Sequence, residues 1–324
     1  AHLQHRMMLK CIASRARGFA APAVSDASPA FPATFPAASR AIVAHRFVPF
    51  TTASGPDSSD FSSWEARWQS QVDTITGDVG SYDESAQQLR EITRSGVLRF
   101  TDLRYNPQRF FWAHRMLAER SPTLGPGFFI RFTVQYNLFA GTVLAVGGED
   151  HLRELEEIQR KGQLGCFALT EKLAGVNSGL VVGTKITWLP DEKQFLLESE
   201  DIGDRKNWIS QGLVGDKAVV MADLHVGGKS YGPHAFLMDL RDEATGEVVN
   251  GVVLEDMGVK TIANDLDNAR VWFDNVRLPR NALLNKFADI DENNQYVQVT
   301  DEKMRIEVIG QRLLTGRIAI AEAA

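Results

Sequence analysis

Residues 149–171 read EDHLRELEEIQRKGQLGCFALTE, and the apolar period changes within them. Up to Lys161 the apolar positions recur at helical spacing on a heavily charged background. After Gly162 they close up into the short run LGCFAL, the pattern of a buried strand. Everything upstream of this switch continues the first pattern, and nearly everything downstream continues the second.

Upstream, WEARWQSQVDTI (64–75), YDESAQQLREITRSG (82–96) and QRFFWAHRMLAE (108–119) place apolar residues three and four apart, which predicts a helical domain over 56–161. Pro122, Gly125, Pro126 and Gly127 break the pattern before the apolar stretch FFIRFTVQYNLFAGTVLAVGG (128–148). Arg131, Gln135 and Asn137 interrupt that stretch, so a buried core helix is expected rather than a membrane span, which needs about 20 apolar residues.

Downstream, LVVGTKITWL, QFLLESE, KAVVMADLHV, HAFLMDLR, VVNGVVLED and ARVWFDNVRL are short runs rich in Val, Ile, Phe and Trp and bounded by turn residues. They predict a β-sandwich or barrel over 162–290. Helical spacing returns in EKMRIEVIGQRLLTGRIAIAEAA (302–324), where Ile306, Ile309, Leu313 and Ile320 can share one face. The expected fold class is α+β: an N-terminal helical domain, a β middle domain, then a linker and the start of a C-terminal helical domain over 291–324.

Residues 1–55 are different in kind. They carry Arg6, Lys10, Arg15, Arg17, Arg40 and Arg46 against the single acid Asp26, among many Ala, Ser and Pro. Such a segment suits an organellar leader, mitochondrial or plastid, followed by a linker.

Composition narrows the function. A net charge of −6, without a basic run after the leader, argues against nucleic acid as a partner. The two cysteines, Cys11 and Cys166, do not make a disulfide framework, and Cys166 within GCFAL is expected to be a buried, inert thiol. The histidines show no metal-ligand spacing, and no Rossmann, P-loop or nucleophile-elbow motif occurs. What remains is the doublet Thr170-Glu171 at a strand end, with a glycine-containing loop behind it, and a second loop, KNWISQG (206–212). Hydroxyls and backbone N–H groups there could hold a planar polar ring with Trp208 against it. Alternatively, Thr170 caps a turn and Trp208 is sandwich core.

Five segments resemble the acyl-CoA oxidase family, within the acyl-CoA dehydrogenase superfamily. They are QYNLFAG (135–141), GCFALTE (165–171), HAFLMDLRD (234–242), DNARVWFDNVRLPRNALLNKFADI (267–290) and LLTGRIAIAEAA (313–324), in the family's order. The resemblance implies FAD as cofactor and oxidation of a fatty acyl-CoA to the trans-2-enoyl-CoA, with a carboxylate removing the α-proton and the flavin taking the β-hydrogen. It implies that Leu169 and Thr170 contact the flavin, that Trp208 flanks the ring, that Ser210 reaches its N5 edge, and that Gly175 and Gly212 keep the loops close. Val176 stands where a serine commonly helps to bind pyrophosphate, so weakened FAD affinity is expected.

The Ser210 hydroxyl is more like a dehydrogenase, since oxidases often carry a glycine-rich loop there. The family's base is a glutamate of the C-terminal domain, expected beyond Ala324. No catalytic residue is therefore assigned, and this chain alone is expected to be inactive. Two accounts stand: a fragment of a longer enzyme, or a non-catalytic structural or interaction subunit. The resemblance further implies a homo-oligomer and a peroxisomal location as the alternative to the leader's reading.

Overall fold

In the computed structural model the described residues are 60–75, 80–174, 182–300 and 302–323. The reading of residues 1–55 as leader and linker lies outside them. The fold is α+β. Helices α1 (Phe61–Asp73), α2 (Tyr82–Ser95), α3 (Pro107–Glu119), α4 (Phe128–Val146) and α5 (Glu149–Lys161) precede the strands, and α6 (Glu302–Ala323) follows them.

Local chemistry explains the helix ends. Ser81 caps α2 by accepting from the Glu84 N–H, Asp83 and Glu84 occupy its first turn, and Gly96 ends it at φ +65°. Helix α4 is long and apolar enough to cross a membrane, yet 78% of its apolar stretch is buried inside the protein. It is a core helix, whose Phe132 packs against Trp68 and Phe110 and whose Tyr136 packs against Phe100. Its middle, Val134–Ala140, is a π-helix. Within this widened turn the buried Gln135 donates to the Gln163 carbonyl at 2.9 Å and Asn137 to the Arg312 carbonyl at 2.7 Å. Residues two apart on a helix do not share a face, so the pair ties α4 both to the approach of β1 and to α6.

The strands form two main sheets. The larger contains β1 (Gly165–Ala168), β2 (Lys185–Leu189), β3 (Gln194–Glu198), β5 (Lys217–Val226), β6 (Lys229–Asp239) and β9 (Val276–Pro279). Strand β5 pairs with β6 along one edge, and along the other with β1 and then β2, both parallel. Gly227 and Gly228, at φ +58° and +80°, make the two-residue turn between β5 and β6, a conformation that glycine adopts without a Cβ penalty. The smaller sheet is β4 (Lys206–Ser210), β8 (Asn268–Phe273) and β7 (Val252–Asp256). Strands β10 (Ala288–Ile290) and β11 (Tyr296–Gln298) form a separate pair.

Alternation along β1 and β5 explains the unbroken apolar run. Phe167, Leu169, Val219 and Met221 pack toward the helices, whereas Cys166, Ala168, Ala218 and Val220 face the second sheet's Ile209, Ala269 and Val271. At β1 and β5 the larger sheet is thus buried on both faces, so these two strands lack the polar half of a period-two pattern that β2, β3 and β9 keep. Arg90 on α2 reinforces the contact by pairing with Asp216 and donating to the Val214 carbonyl at 2.8 Å.

Two expectations change. The segment KNWISQG is not a loop: residues 206–210 form β4, whose ladder partner β8 lies some 60 residues downstream, so no local signal marked it. On α6, Ile309 is buried and Leu313 partly so, but Ile320 is exposed, and Gly316 and Ala319 take the inner positions. The helix approaches α4 closely enough that a Cβ on Gly316 would lie 2.9 Å from Asn137 Nδ2, so small residues decide the seam. The side chain of Ile306 is not among those described.

Candidate functional site

The end of β1 and strand β4 run beside each other. The Asn207 N–H donates to the Thr170 carbonyl at 2.8 Å, the Lys172 N–H to the Arg205 carbonyl at 3.0 Å, and Glu171 bridges Lys206 in antiparallel fashion. At the other end of β4, the buried Gln211 donates through Nε2 to the Gly165 carbonyl at 2.8 Å and to Gln135 Oε1 at 3.3 Å. Strand β4 is therefore pinned to β1 at both ends. Thr170 touches it directly, and Ser210 lies three residues along, at most about 10 Å at strand rise.

Beneath this surface lies a buried ion pair. Lys206 Nζ, fully inaccessible to solvent, donates to Glu171 Oε1 at 2.8 Å and to the Met221 carbonyl at 2.6 Å. Burial pushes the Glu171 carboxyl up, but the Lys206 ammonium and the Gly183 and Thr184 N–H groups more than offset it, leaving the group below its ordinary value. Burial lowers the Lys206 ammonium, and Glu171 opposes that shift. With each partner hydrogen-bonded, the pair fixes the Thr170-Glu171 end of β1 against β4.

The ladder between β4 and β8 is broken by a bulge between Lys206 and Ile209. Bulges re-aim side chains, and this one turns Trp208 outward at φ +60°, with 55% of its surface exposed. A bulky side chain in the left-handed region costs about 1–3 kcal/mol. Such exposure excludes the reading of Trp208 as sandwich core.

The other expected residues fall as follows. Leu169 is buried, with its carbonyl 3.4 Å from Lys206 Nζ. The Thr170 hydroxyl is partly exposed and makes no hydrogen bond among the described residues, so it caps no turn there. Ser210 is partly exposed, and its Oγ accepts from Asn268 Nδ2 at 3.1 Å. The tight approach at Gly212 is to β8, where an added Cβ would lie 2.6 Å from that of Ala269. Gly175 and Val176 lie outside the described residues. Cys166 is fully buried, and that burial pushes its thiol well above the ordinary value. Among the described residues no cluster of three or more His, Cys, Asp or Glu could hold a metal ion.

Sequence reasoning missed three contributors, Asn207, Gln211 and Asn268. Asn207 and Gln211 lie within the segment KNWISQG, and Asn268 in the Asp-Asn pair that opens the segment 267–290, but none was singled out. The neighbours of Asn268 are anchored deep in the protein. Asp267 pairs with the buried Arg131 of α4 at 3.0 Å and accepts the Leu213 N–H at 2.7 Å, while Asp265 accepts the Gly127 N–H at 2.9 Å. The surface thus offers two partly exposed hydroxyl residues and an outward indole, while Asn207 Oδ1 is buried without a hydrogen-bond partner among the described residues. A flat heteroaromatic ring with polar edges is compatible with two hydroxyl groups beside an exposed indole.

No family model matches the chain. Acyl-coenzyme A oxidase 2, peroxisomal, of Arabidopsis thaliana is 31% identical over 244 residues, which are 72% of this chain and 34% of that protein. Peroxisomal acyl-coenzyme A oxidase 3 of Homo sapiens is 34% identical over 190 residues, 58% of this chain and 27% of that protein. The chain spans about a third of the length of the curated relatives it matches.

Among solved structures, acyl-CoA oxidase 1 of Yarrowia lipolytica shares the fold with a TM-score of 0.61 and 23% identity, over 79% of this chain and 37% of that one. Acyl-CoA oxidase-2 of Caenorhabditis elegans, solved with FAD, ascaroside-CoA and ATP, does so with a TM-score of 0.60 and 23% identity, over 76% of this chain and 38% of that one. At 31% and 34% identity to two such oxidases, and with the fold of solved ones, the chain belongs to the acyl-CoA oxidase family.

Proposed function

We propose that this chain supplies the flavin-binding surface of an enzyme that oxidises fatty acyl-CoA to the trans-2-enoyl-CoA. The observation that supports the reading is the pinning of β4 to β1, with the Asn207 N–H on the Thr170 carbonyl, Gln211 on the Gly165 carbonyl and Trp208 exposed on β4. Bound FAD would supply the two-electron acceptor for removal of the α- and β-hydrogens. In this reading the Thr170 hydroxyl and the Leu169 and Thr170 backbone orient the ring, the Ser210 hydroxyl donates at its N5 edge, Trp208 shields one face from water, and Gly175 and Gly212 keep the backbone close. Val176 weakens the pyrophosphate end, since a buried anionic oxygen without a donor loses about 1–3 kcal/mol or more.

No carboxylate among the described residues is assigned as the base, so the 324-residue chain by itself is proposed to bind flavin without oxidising acyl-CoA. Fatty acyl-CoA and further copies of the chain are the proposed partners. A peroxisomal location is favoured by the names of the relatives.

Titration of FAD into the chain, followed by flavin absorbance and fluorescence, tests the reading. Saturable binding is expected, weaker in Thr170→Ala and tighter in Val176→Ser. No flavin response in any of the three would leave a fold relative without the cofactor, and enoyl-CoA formation by the purified chain would sink the inactivity proposal.

A further inference from the structure

Asn268 faces Ser210 directly across the β4–β8 ladder, so the two side chains share one face of the sheet. Its Nδ2 donates to Ser210 Oγ at 3.1 Å, and its residue is 8% exposed while Ser210 is partly exposed. A serine hydroxyl has one hydrogen to donate and two lone pairs to accept with. When the amide occupies a lone pair from the buried side, the O–H is left to point away from it, toward the accessible side.

We propose that Asn268 is a positioning residue that holds the Ser210 hydroxyl as a hydrogen-bond donor toward the flavin edge. The inference rests on the flavin reading above and adds to it the polarity of that contact. Asn268 is itself placed with little freedom. Its neighbour Asp267 is locked to Arg131 and to the Leu213 N–H, and its own carbonyl accepts the Met257 N–H at 3.0 Å. The hydroxyl's direction is therefore set from α4 through β8 to β4, before any ligand arrives.

Asn268→Asp reverses the polarity at nearly constant shape, because the carboxylate introduced can only accept and takes the Ser210 hydrogen for itself. Asn268→Ala removes the direction without reversing it. FAD is titrated into the full chain and into Asn268→Asp, Asn268→Ala, Ser210→Ala and the double variant Asn268→Ala/Ser210→Ala, with thermal melts to show that each is folded. The absorption spectrum of bound flavin is recorded for each.

Binding is expected to weaken about tenfold in Asn268→Ala and further in Asn268→Asp, with a shifted flavin band in the latter. In the Ser210→Ala background, loss of Asn268 should have no further effect, since the amide acts through that hydroxyl. A merely structural asparagine would weaken binding equally in both backgrounds, and that result overturns the inference while leaving the flavin reading intact. Unchanged affinity and spectrum in Asn268→Asp does the same, whereas absence of FAD binding by the unaltered chain overturns both.

Discussion

Helix α4 and strand β4 both border β1, and they use their polar side chains in opposite ways. Along α4, Arg131, Gln135 and Asn137 are wholly buried and reach inward to Asp267, to the β1 approach and to α6. Along β4 Lys206 is spent in that manner, while Ser210 is partly exposed beside Asn268 and Trp208 turns outward across a bulge and a left-handed backbone. Polar groups that satisfy one another hold a fold together, whereas polar groups left facing accessible space, at positions of backbone strain, are available to a ligand.

The largest effect that would test this contrast comes from β4 itself. Lys206→Met leaves Glu171 buried without its counter-ion and is expected to lower stability by about 3–5 kcal/mol in urea unfolding, whereas Lys206→Met combined with Glu171→Leu should recover most of the loss. Trp208→Ala, on the same strand, should change stability by no more than about 0.5 kcal/mol. If Trp208→Ala proves as costly as Lys206→Met, β4 is structural throughout and the contrast with α4 fails.

A second test sets one histidine of the helices packed beside α4 and one of the larger sheet against acid. Burial lowers His114 of α3 to about 4. Burial, followed by the nearby Arg305 guanidinium, lowers His234 of β6 to about 3. His234 donates through Nδ1 to the Gly232 carbonyl at 2.9 Å, so its Nε2 is free to accept from Arg305 at 2.6 Å and the ring is neutral. The unfolded chain takes up both protons as pH falls through about 6.5, and the folded chain refuses them until about 4 and 3. The stability that these rings contribute is thus present above pH 6.5 and lost below it, by roughly 2 kcal/mol each at pH 5. Melts at pH 7.5 and 5 should show the loss, about halved in His234→Gln. Equal slopes in the two proteins would mean that His234 is not held neutral.

The smallest effect concerns strain. Trp208→Gly removes a bulky residue from φ +60° and is expected to raise stability by up to about 1 kcal/mol while weakening FAD binding. A clear loss of stability would show that the indole packs where it is needed for folding.

Much of this was legible in the chain itself. The change of period at Gly162, the apolar stretch 128–148 and the strand KAVVMADLHV follow from residue type and spacing alone, because a buried face imposes its period on whichever residues form it, whereas the family's motifs were legible only as a resemblance. Of the site, Thr170, Trp208 and Ser210 could be singled out, but not their relations to one another. Only the tertiary structure made KNWIS a strand, put the bulge beside Trp208, set Asn268 across from Ser210 and brought Arg131 to Asp267. Those relations depend on pairing register between segments tens of residues apart, and a polar side chain's partner is decided by that register rather than by its neighbours in the chain.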